Sequence, residues 1–468
     1  MTAAALGMSA QPIRHPDGSE QVMTRRGWWL VLLNFLIPGS AQALAGNRRL
    51  GRFGLGATLV MWALAIVTVA VALLSRRTMF DLVTNGIVLL VVEVLLVAYA
   101  ILWVVLTIDT LRLVRVVRLR SWTRVAIPIL SVVLLVVASG GAVTAASYAQ
   151  TARDTFGTLF GASGASQAPS DGYYNIMLLG GDDAQGRTSM RFDSISVVSM
   201  NATTGAITTT GVPRDLAGFP FVAGSPMRSL YPSVHTGHGD PVCGWGPGIN
   251  QLNTEVTVCK HGSSLYPDAV TQGSTPGIEA TRDALEGILG VKIQYYVLMN
   301  FGGFAQLVDA LGGVDIKVTE RLPIGGGPKY RGEPASQWAK GWIEPGEQHM
   351  DGNTAQWYAR SRETTSDWDR VQRQAQLEQA IVKQVNATTL LTRFREVAAA
   401  GQNLFKTDIP EGMLGYLADL GIKSRSQKVQ AIQLVPTQGV DQFNPDVAAI
   451  HAKLQKLLHP AASPSPSN

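Results

Sequence analysis

The first 150 residues contain three stretches that are apolar and long enough to cross a membrane. Residues 53–75 and 125–147 carry no charged side chain, and residues 86–108 carry only Glu93. About 20 consecutive apolar residues span the hydrocarbon core of a bilayer. Several such stretches in succession do not fit a cleavable signal peptide. The sequence therefore predicts a helical transmembrane region over residues 1–147.

A further uncharged stretch, residues 27–47, is interrupted by polar and turn-forming residues, namely Asn34, Pro38, Gly39, Ser40 and Gln42. Arginines flank this stretch on both sides. Because a full crossing would place one basic flank outside, we expect a re-entrant hairpin rather than a fourth span. An ionisable group at membrane depth is a functional candidate, so Glu93 is either such a group or one paired within the helix bundle.

The distribution of charge predicts the orientation. Five arginines lie between residues 112 and 124, before the last span, and such clusters stay on the cytoplasmic side. Residues after 147 are therefore expected outside, which makes the chain a multi-pass protein with an extracytoplasmic domain. Residues 1–150 hold 13 Arg, no Lys and 5 acidic residues (+8), and the remainder holds 26 basic and 29 acidic residues (−3). An acidic exported part is not typical of nucleic-acid binding.

Strand and helix patterns alternate beyond a small-residue linker at 148–172. This alternation predicts a layered α-β-α domain with a central mixed sheet over residues 173–400. Residues 216–274 lack periodicity and are rich in Gly and Pro, so we expect a lid-like insertion there. Residues 401–458 complete the exported domain, and the Pro- and Ser-rich residues 459–468 are predicted to be disordered.

The two cysteines, Cys243 and Cys259, lie in one loop-rich stretch. In an exported domain a disulfide is expected, and it would contribute roughly 3 kcal/mol. A mixed metal site with the nearby His235, His238 and His261 and a pair of unbonded thiols are the alternatives.

Charged residues end several apolar segments of the exported half. Asp182 follows the strand predicted at 175–179, Arg191 and Asp193 precede the strand at 194–200, and Arg214 and Asp215 follow the strand at 207–212. Segment ends of this kind commonly gather the active site of a layered α/β fold. Taken singly, an aspartate after a strand is more often a turn or cap residue.

A second polar group lies downstream, around two helices predicted at 351–358 and 368–385. Its members are Arg360, Arg362, Asp367, Arg370, Arg373 and Gln374. On a helix, Arg370, Arg373 and Gln374 share one face. Arginine forks match phosphate oxygens, and a small number of carboxylates suits Mg²⁺. The residues alone thus predict an anion-binding α/β domain, although an isolated Arg-x-Arg is usually a surface ion pair.

Several motifs follow one another in a consistent order: NIMLLGGD at 175–182, VPRD at 212–215, YYVLMNFGGF at 295–304, LVDALGGVD at 307–315, GEQHMDG at 346–352, YARSR at 358–362 and RVQRQ at 370–374. Through them, residues 173–390 resemble the LytR-CpsA-Psr (LCP) family. The multi-span N-terminus is similar to that of some actinobacterial members.

The resemblance implies a specific chemistry. A wall glycopolymer would be transferred from a polyprenyl-pyrophosphate carrier to peptidoglycan, with a phosphodiester formed and polyprenyl phosphate released. By position, the metal ligands would be Asp182 and Asp193 with Mg²⁺, the neutralising arginines would be Arg191, Arg214, Arg360, Arg362 and Arg370, and the supporting residues would be Arg373 and Gln374. Either Asp215 or Asp367 would accept the proton of the attacking hydroxyl.

The sequence departs from the family pattern at two positions of the site. Phe192 replaces the usual Ser or Thr, and Ala184 replaces a common arginine.

Two other functions would use the same candidate residues. One is a non-catalytic membrane sensor that binds an anionic lipid or polymer, and the other is a lipid-pyrophosphate hydrolase. Metal dependence and loss of turnover in Asp193→Ala would separate an enzyme from a binder.

Overall fold

The computed structural model describes residues 19–160, 166–182, 189–237, 246–330, 332–361, 364–384, 405–424, 427 and 429–460. The chain divides into two compact units, Met1–Asp154 and Thr155–Asn468. Of the tail predicted to be disordered, 459–468, residues 461–468 lie outside the described residues, whereas Nε2 of His459 lies 2.7 Å from Asp171 Oδ2.

The first unit is helical. Its helices are α1 (Glu20–Leu36), α2 (Ser40–Ala45), α3 (Arg48–Leu74), α4 (Arg76–Thr84), α5 (Gly86–Val114) and the greater part of α6 (Thr123–Phe160). Among the described residues, three helices are long and apolar enough to cross a membrane: Arg48–Leu74, Gly86–Val114 and Thr123–Thr158. At 1.5 Å per residue, the 27 residues of α3 extend about 40 Å, more than the hydrocarbon core requires. The prediction of three long apolar helices is confirmed.

The interrupted stretch at 27–47 is a helix, a turn and a short second helix. The break lies between α1 and α2, where Gly39 adopts a φ of 94°. A Cβ at this glycine would lie 2.4 Å from the backbone nitrogen of Leu55, so the turn requires glycine. Gln42 donates to the carbonyl of Leu106 at 2.8 Å and to Thr110 Oγ1 at 2.9 Å. These bonds fasten the short helix to α5. The re-entrant path through a membrane stays a prediction.

Glu93 has an ionic partner within the first unit. Its Oε2 lies 2.9 Å from Nη1 of Arg153 on α6, and both side chains are about a quarter exposed. An isolated charge at membrane depth is costly, and pairing lowers that cost. This pairing matches the alternative that assigned Glu93 a role inside the helix bundle.

The second unit is built on a mixed sheet. Within the described residues its strand order is β10-β3-β2-β1-β4-β9, with β1–β4 and β10–β3 parallel and the other neighbours antiparallel. The strands are β1 (Tyr173–Asp182), β2 (Arg191–Asn201), β3 (Ile207–Val212), β4 (Tyr295–Asn300), β9 (Phe405–Thr407) and β10 (Gln430–Gln433). The predicted central mixed sheet is therefore confirmed.

Two smaller sheets stand apart from the central one. They pair β5 (Val314–Val318) with β8 (Gly346–Met350), and β6 (Leu322–Ile324) with β7 (Gly341–Ile343). The helices of this unit are α7 (Pro226–Leu230), α8 (Leu252–Thr254), α9 (Gly262–Leu265), α10 (Pro276–Leu289), α11 (Phe301–Leu311), α12 (Ala335–Trp338), α13 (Gly352–Arg360), α14 (Asp367–Gln384), α15 (Glu411–Ser424) and α16 (Val447–Leu458).

Both faces of the central sheet are covered. Alternate residues of β1 point to opposite faces, and Met177 enters the main core together with Ile288 of α10 and Leu454 of α16. On the other face, Ile176 packs in a cluster with Leu420 of α15. Helices on both sides of a mixed sheet confirm the layered α-β-α fold.

A third apolar cluster lies beside this sandwich. It unites α11, α13, α14 and the sheet of β5 and β8, with Val308, Ile316, Tyr358 and Leu377 buried in it. At Gly352 a Cβ would lie 1.9 Å from the carbonyl oxygen of Ala305, so α13 begins in close contact with α11. This packing fixes the helices that carry the second group of candidate residues.

Two further sequence expectations can be compared with the structure. Residues 148–160 belong to α6 and are not a linker, since their Ala, Gln and Arg residues are good helix formers. The described part of the segment 216–274, predicted as a lid-like insertion, is anchored in the main core, where Phe219, Met227 and Leu252 are fully buried. These buried apolar residues lie in irregular backbone and short helices, so their spacing follows neither a helix nor a strand period.

Candidate functional site

The candidate residues of the three sheet strands meet at one edge. Asp182, at the end of β1, pairs with Arg191 at the start of β2, and Gly181 lies between Phe192 and Asn300 of the neighbouring strands. β3 ends on the same side, since Ile195 pairs with Val212 just before Pro213 and Arg214. The predicted convergence of segment ends therefore occurs.

A β-bulge places Asp193. Gly180 lies opposite Ser194 and Gly181 opposite Phe192, so Asp193 is the additional residue of β2. The bulge breaks the alternation of the strand, and Phe192 and Ile195, three positions apart, both enter the main core. Bulges next to functional sites redirect side chains. Here the bulge turns Asp193 towards Arg214.

Arg214 is oriented by two carboxylates. Its Nη1 donates to Asp193 Oδ1 at 2.7 Å, and its Nε lies 3.4 Å from Asp215 Oδ2. The side chains of Arg214 and Asp193 are mostly buried, whereas Asp215 is 44% exposed. The carbonyl oxygen of Arg214 accepts a bond from Asn250 N at 3.0 Å. The guanidinium is thus fixed in place at the sheet edge, as an anion-binding group requires.

A second set of arginines lies where α13 ends and α14 begins. Arg360 is the last residue of α13, and its guanidinium carbon lies 5.5 Å from the ring centroid of Trp357. Arg370 is buried in the first turn of α14, and its amide bonds to Ser366 O at 3.3 Å. Arg362 lies outside the described residues. The side chains of Asp182 and Asp367 are likewise outside the description, although their backbone belongs to β1 and α14.

The substrate-binding role of Arg373 stays a prediction, and the contacts described for this residue are with the protein itself. Its side chain is buried, and its guanidinium donates to the carbonyl oxygens of Tyr358, at 3.0 Å, and Ser361. Nη1 also donates to Thr365 Oγ1 at 3.2 Å and lies 3.4 Å from Glu320 Oε1. These bonds join the end of α13 to the start of α14. Arg373 therefore links the end of α13, which carries Arg360, to the start of α14, which carries Arg370.

An apolar cavity of about 330 Å³ lies between the sheet and the helices α11, α13 and α14. Gly180, Ser194 and Asn300 bring the sheet edge to it, and Gln374 reaches it from α14. Most of the lining is apolar, with the members Leu178, Leu179, Val297, Met299, Phe304, Leu307, Ala359, Leu377 and Ile381. Gln374 donates to Ala359 O at 3.2 Å. The cavity lies directly beside the polar edge, which it meets at Gly180 and Ser194.

Sequence reasoning did not single out Glu378, which also lines the cavity. Burial raises the pKa of this carboxyl to about 7. Its position four residues after Gln374 places it on the same helix face, and that spacing was available in the sequence. The apolar character of its surroundings depends on tertiary packing, so the sequence alone does not show it.

Mg²⁺ binding by Asp182 and Asp193 stays a prediction, because the side chain of Asp182 lies outside the described residues. The two aspartates lie on neighbouring strands, and Mg²⁺ is typically held by one or two carboxylates together with phosphate oxygens. The described part of the chain holds no group of three or more His, Cys, Asp or Glu side chains that could bind a metal ion.

The described residues directly before Cys259 are helical, although the sequence there predicts a loop. Cys259 is disulfide-bonded, and Cys243, the other cysteine of the sequence, lies outside the described residues. His235 is fully buried, with Nε2 at 2.7 Å from Glu255 Oε2 and its ring stacked on Phe219. This histidine therefore serves the core, which disfavours the mixed metal site. His238 lies outside the described residues.

The fold and the site together define a layered α/β domain with an arginine-rich sheet edge beside an apolar cavity, on a chain with three candidate membrane helices. Residues 254–458 match the profile of the LytR_cpsA_psr family. A curated relative from Bacillus cereus (strain ZK / E33L), polyisoprenyl-teichoic acid–peptidoglycan teichoic acid transferase TagU, is 27% identical over 242 residues, 51% of this chain and 62% of the relative. Over these residues the chain is similar to the LytR-CpsA-Psr family.

Other similarities are more distant or shorter. The TagU of Halalkalibacterium halodurans is 32% identical over 136 residues, 28% of this chain and 40% of that protein. Among solved structures, Bacillus subtilis TagV aligns with a TM-score of 0.41 and 20% identity, covering 61% of this chain and 97% of that one. The YwtF (TagT) structure with bound octaprenyl pyrophosphate aligns with a TM-score of 0.37 and 19% identity, covering 64% and 96%. The match covers less than two thirds of the length of the curated relatives named here.

Proposed function

We propose that this chain transfers a phosphate-linked glycan polymer from a polyprenyl-pyrophosphate carrier to peptidoglycan on the outer side of the membrane. The observation that carries the proposal is the direct contact between an arginine-bearing sheet edge and an apolar cavity. A molecule that fits both must combine an anionic head with an apolar tail, as a polyprenyl pyrophosphate does. The name of the TagU relatives, polyisoprenyl-teichoic acid–peptidoglycan transferase, supports the same substrate class.

The reaction breaks one phosphoanhydride bond. A hydroxyl of the peptidoglycan acceptor attacks the phosphorus atom that bears the glycan, and the new P–O bond makes a phosphodiester. The bond from that phosphorus to the bridging oxygen breaks, and polyprenyl phosphate leaves with the electron pair. The hydroxyl proton passes to Asp215 or Asp367, which are the candidate acceptors.

Catalysis here consists mainly of positioning and charge neutralisation. Arg214, held between Asp193 and Asp215, presents a fixed guanidinium at the edge where the pyrophosphate would lie. Arg191, Arg360, Arg362 and Arg370 would add positive charge around it. Mg²⁺, held by Asp182 and Asp193, would supply further neutralisation of the phosphate charge. Gln374 would lie between the pyrophosphate head group and the lipid tail in the cavity.

The test uses the full chain in nanodiscs with Mg²⁺, a short lipid-pyrophosphate glycan and peptidoglycan fragments. Mass spectrometry measures the joined glycan–peptidoglycan phosphodiester and the released polyprenyl phosphate. We expect the joined product with the wild type and with Asp268→Ala, an exposed carboxylate outside the site, and its loss in Asp193→Ala. Chelation of Mg²⁺ should stop the reaction, and its addition should restore it.

Three results would contradict the proposal. Released polyprenyl phosphate without joined product would indicate a hydrolase. Tight lipid binding with no turnover would indicate the sensor. Full turnover in Asp193→Ala would show that the sheet edge is not the site.

A further inference from the structure

One ionisable side chain projects into the apolar cavity. Glu378 lies on the face of α14 that also carries Gln374, Leu377 and Ile381, at spacings of three and four residues. Among the fifteen described residues that line the cavity, Glu378 is the only one with a titratable side chain. A carboxyl in such a place has to be accounted for, because burying a charge without a partner is costly.

Among the described residues, few polar groups line the cavity around this carboxyl. β2 contributes Ser194, β4 contributes Asn300 and α13 contributes Gln356, while the lining residues of β1 and α11 are Gly or apolar. No hydrogen bond or ion pair to Glu378 occurs within the described residues. The nearest arginine on the same face of α14 is Arg370, eight residues earlier, which is about 12 Å along the helix axis. Burial alone raises the pKa of Glu378 to about 7.

We propose that Glu378 makes occupancy of the cavity proton-linked, so that an apolar chain enters with uptake of one proton by this carboxyl. The inference rests on the proposed function in one respect, since it takes the isoprenoid tail as the chain concerned. It concerns the binding step, in which the protonation state of Glu378 sets the affinity for the apolar chain. No bond of the substrate is made or broken in this step.

The direction of the effect follows from solvation. An apolar chain in the cavity removes water from the carboxyl, which further disfavours the charged form and raises its pKa in the complex. Below the pKa of the free protein the carboxyl is already neutral, and binding costs no extra protonation. Between the pKa of the free protein and the pKa of the complex, each unit by which the pH rises weakens binding by at most about tenfold. Affinity should therefore fall between pH 6 and pH 8.5.

The experiment uses the full chain in nanodiscs and a photoreactive farnesol that carries a diazirine. This probe has an isoprenoid chain and no titratable group, so its own charge does not change with pH. Cross-linked protein is quantified by mass spectrometry at pH 6.0, 7.0 and 8.5 over a range of probe concentrations. Glu378→Gln removes the charge at similar size, and Glu347→Gln, an exposed carboxylate on β8, is the matched control.

We expect the half-saturating probe concentration of the wild type and of Glu347→Gln to rise roughly tenfold from pH 6.0 to pH 8.5. In Glu378→Gln it should stay constant and close to the wild-type value at pH 6.0. Equal pH dependence in Glu378→Gln, or none in the wild type, would overturn the inference. Because the probe has no phosphate, this outcome is independent of the transferase assay, and a failure of the proposed function would leave it unaffected.

Discussion

Arg214 and Arg282 both lie beside carboxylates in the second unit, but in different surroundings. Arg282 of α10 contacts Asp408 through Nη2 and lies 3.2 Å from Glu279 through Nη1. Asp408 in turn accepts from the amide of Tyr296 on β4, at 2.7 Å. All of these groups are largely buried, whereas Arg214 lies at the sheet edge next to an exposed Asp215.

The comparison shows how the fold uses one kind of ion pair in two ways. Around Arg282, burial raises the pKa of Asp408 and the guanidinium opposes the rise, so the pair is retained inside the domain. Around Arg214, the carboxylates fix the direction of a charge that still faces a polar edge. A buried ionic network therefore indicates a structural role, and an oriented arginine at an open strand end indicates a ligand.

The largest expected effect comes from removing the interior arginine. Arg282→Ala leaves Asp408 and Glu279 buried without their cation, which costs about 3–5 kcal/mol of unfolding free energy. Thermal unfolding of the full chain in nanodiscs measures the loss. Arg321→Ala is the matched control: its pair with Glu344 is more than half exposed, and it should cost less than about 1 kcal/mol. Equal melting temperatures for both variants would remove the distinction between the two kinds of pair.

Arg214→Ala should show the opposite pattern. We expect turnover to fall about 100- to 1000-fold, because one oriented positive group is lost at the developing phosphate charge. The melting temperature should change little. Arg214→Lys should recover only a small part of the activity, since an ammonium cannot reproduce the bidentate fork. Arg228→Ala, an exposed arginine outside the site, should keep wild-type turnover. Large destabilisation with normal turnover per folded molecule would assign Arg214 to the structural class.

Arg373 tests the distinction between arginines with a structural role and arginines that bind a ligand. Its bonds to the carbonyl oxygens of Tyr358 and Ser361 predict a loss of about 2 kcal/mol of stability in Arg373→Ala. Turnover should fall as well, because the helix ends that carry Arg360 and Arg370 lose the residue that links them. Thermal unfolding and the transfer assay are measured on the same preparation. Lost turnover at unchanged stability would return Arg373 to the substrate-binding role that the sequence predicts.

The limits of prediction from the sequence follow from the same contrast. The bounds of β3 agree with the predicted strand at 207–212, because a β-branched run that ends at Pro213 is a local signal. The meeting of Asp193 with Arg214 could be expected only in outline, since it depends on a bulge that one extra residue creates. The structural role of Arg373 and the position of Glu378 depend on how helices pack. No local pattern reports whether a side chain meets carbonyl groups or a cavity.

The smallest effect concerns the far end of α13, away from Arg360. Asp351 caps this helix and accepts from Thr354 N at 2.7 Å, and bonds from Thr354 hold the pKa of the carboxyl below its usual range. Asp351→Ala should therefore cost about 1 kcal/mol at neutral pH, with turnover per folded molecule unchanged.

A carboxyl with a lowered pKa stabilises the fold above its unfolded pKa, and this contribution is lost as pH falls through the folded value. The difference in melting temperature between wild type and variant should thus shrink from pH 7 to pH 3. Asp351→Asn keeps an acceptor without the charge and should retain most of the stability at both pH values. A difference that grows on acidification would show that the cap does not act through the charged carboxylate.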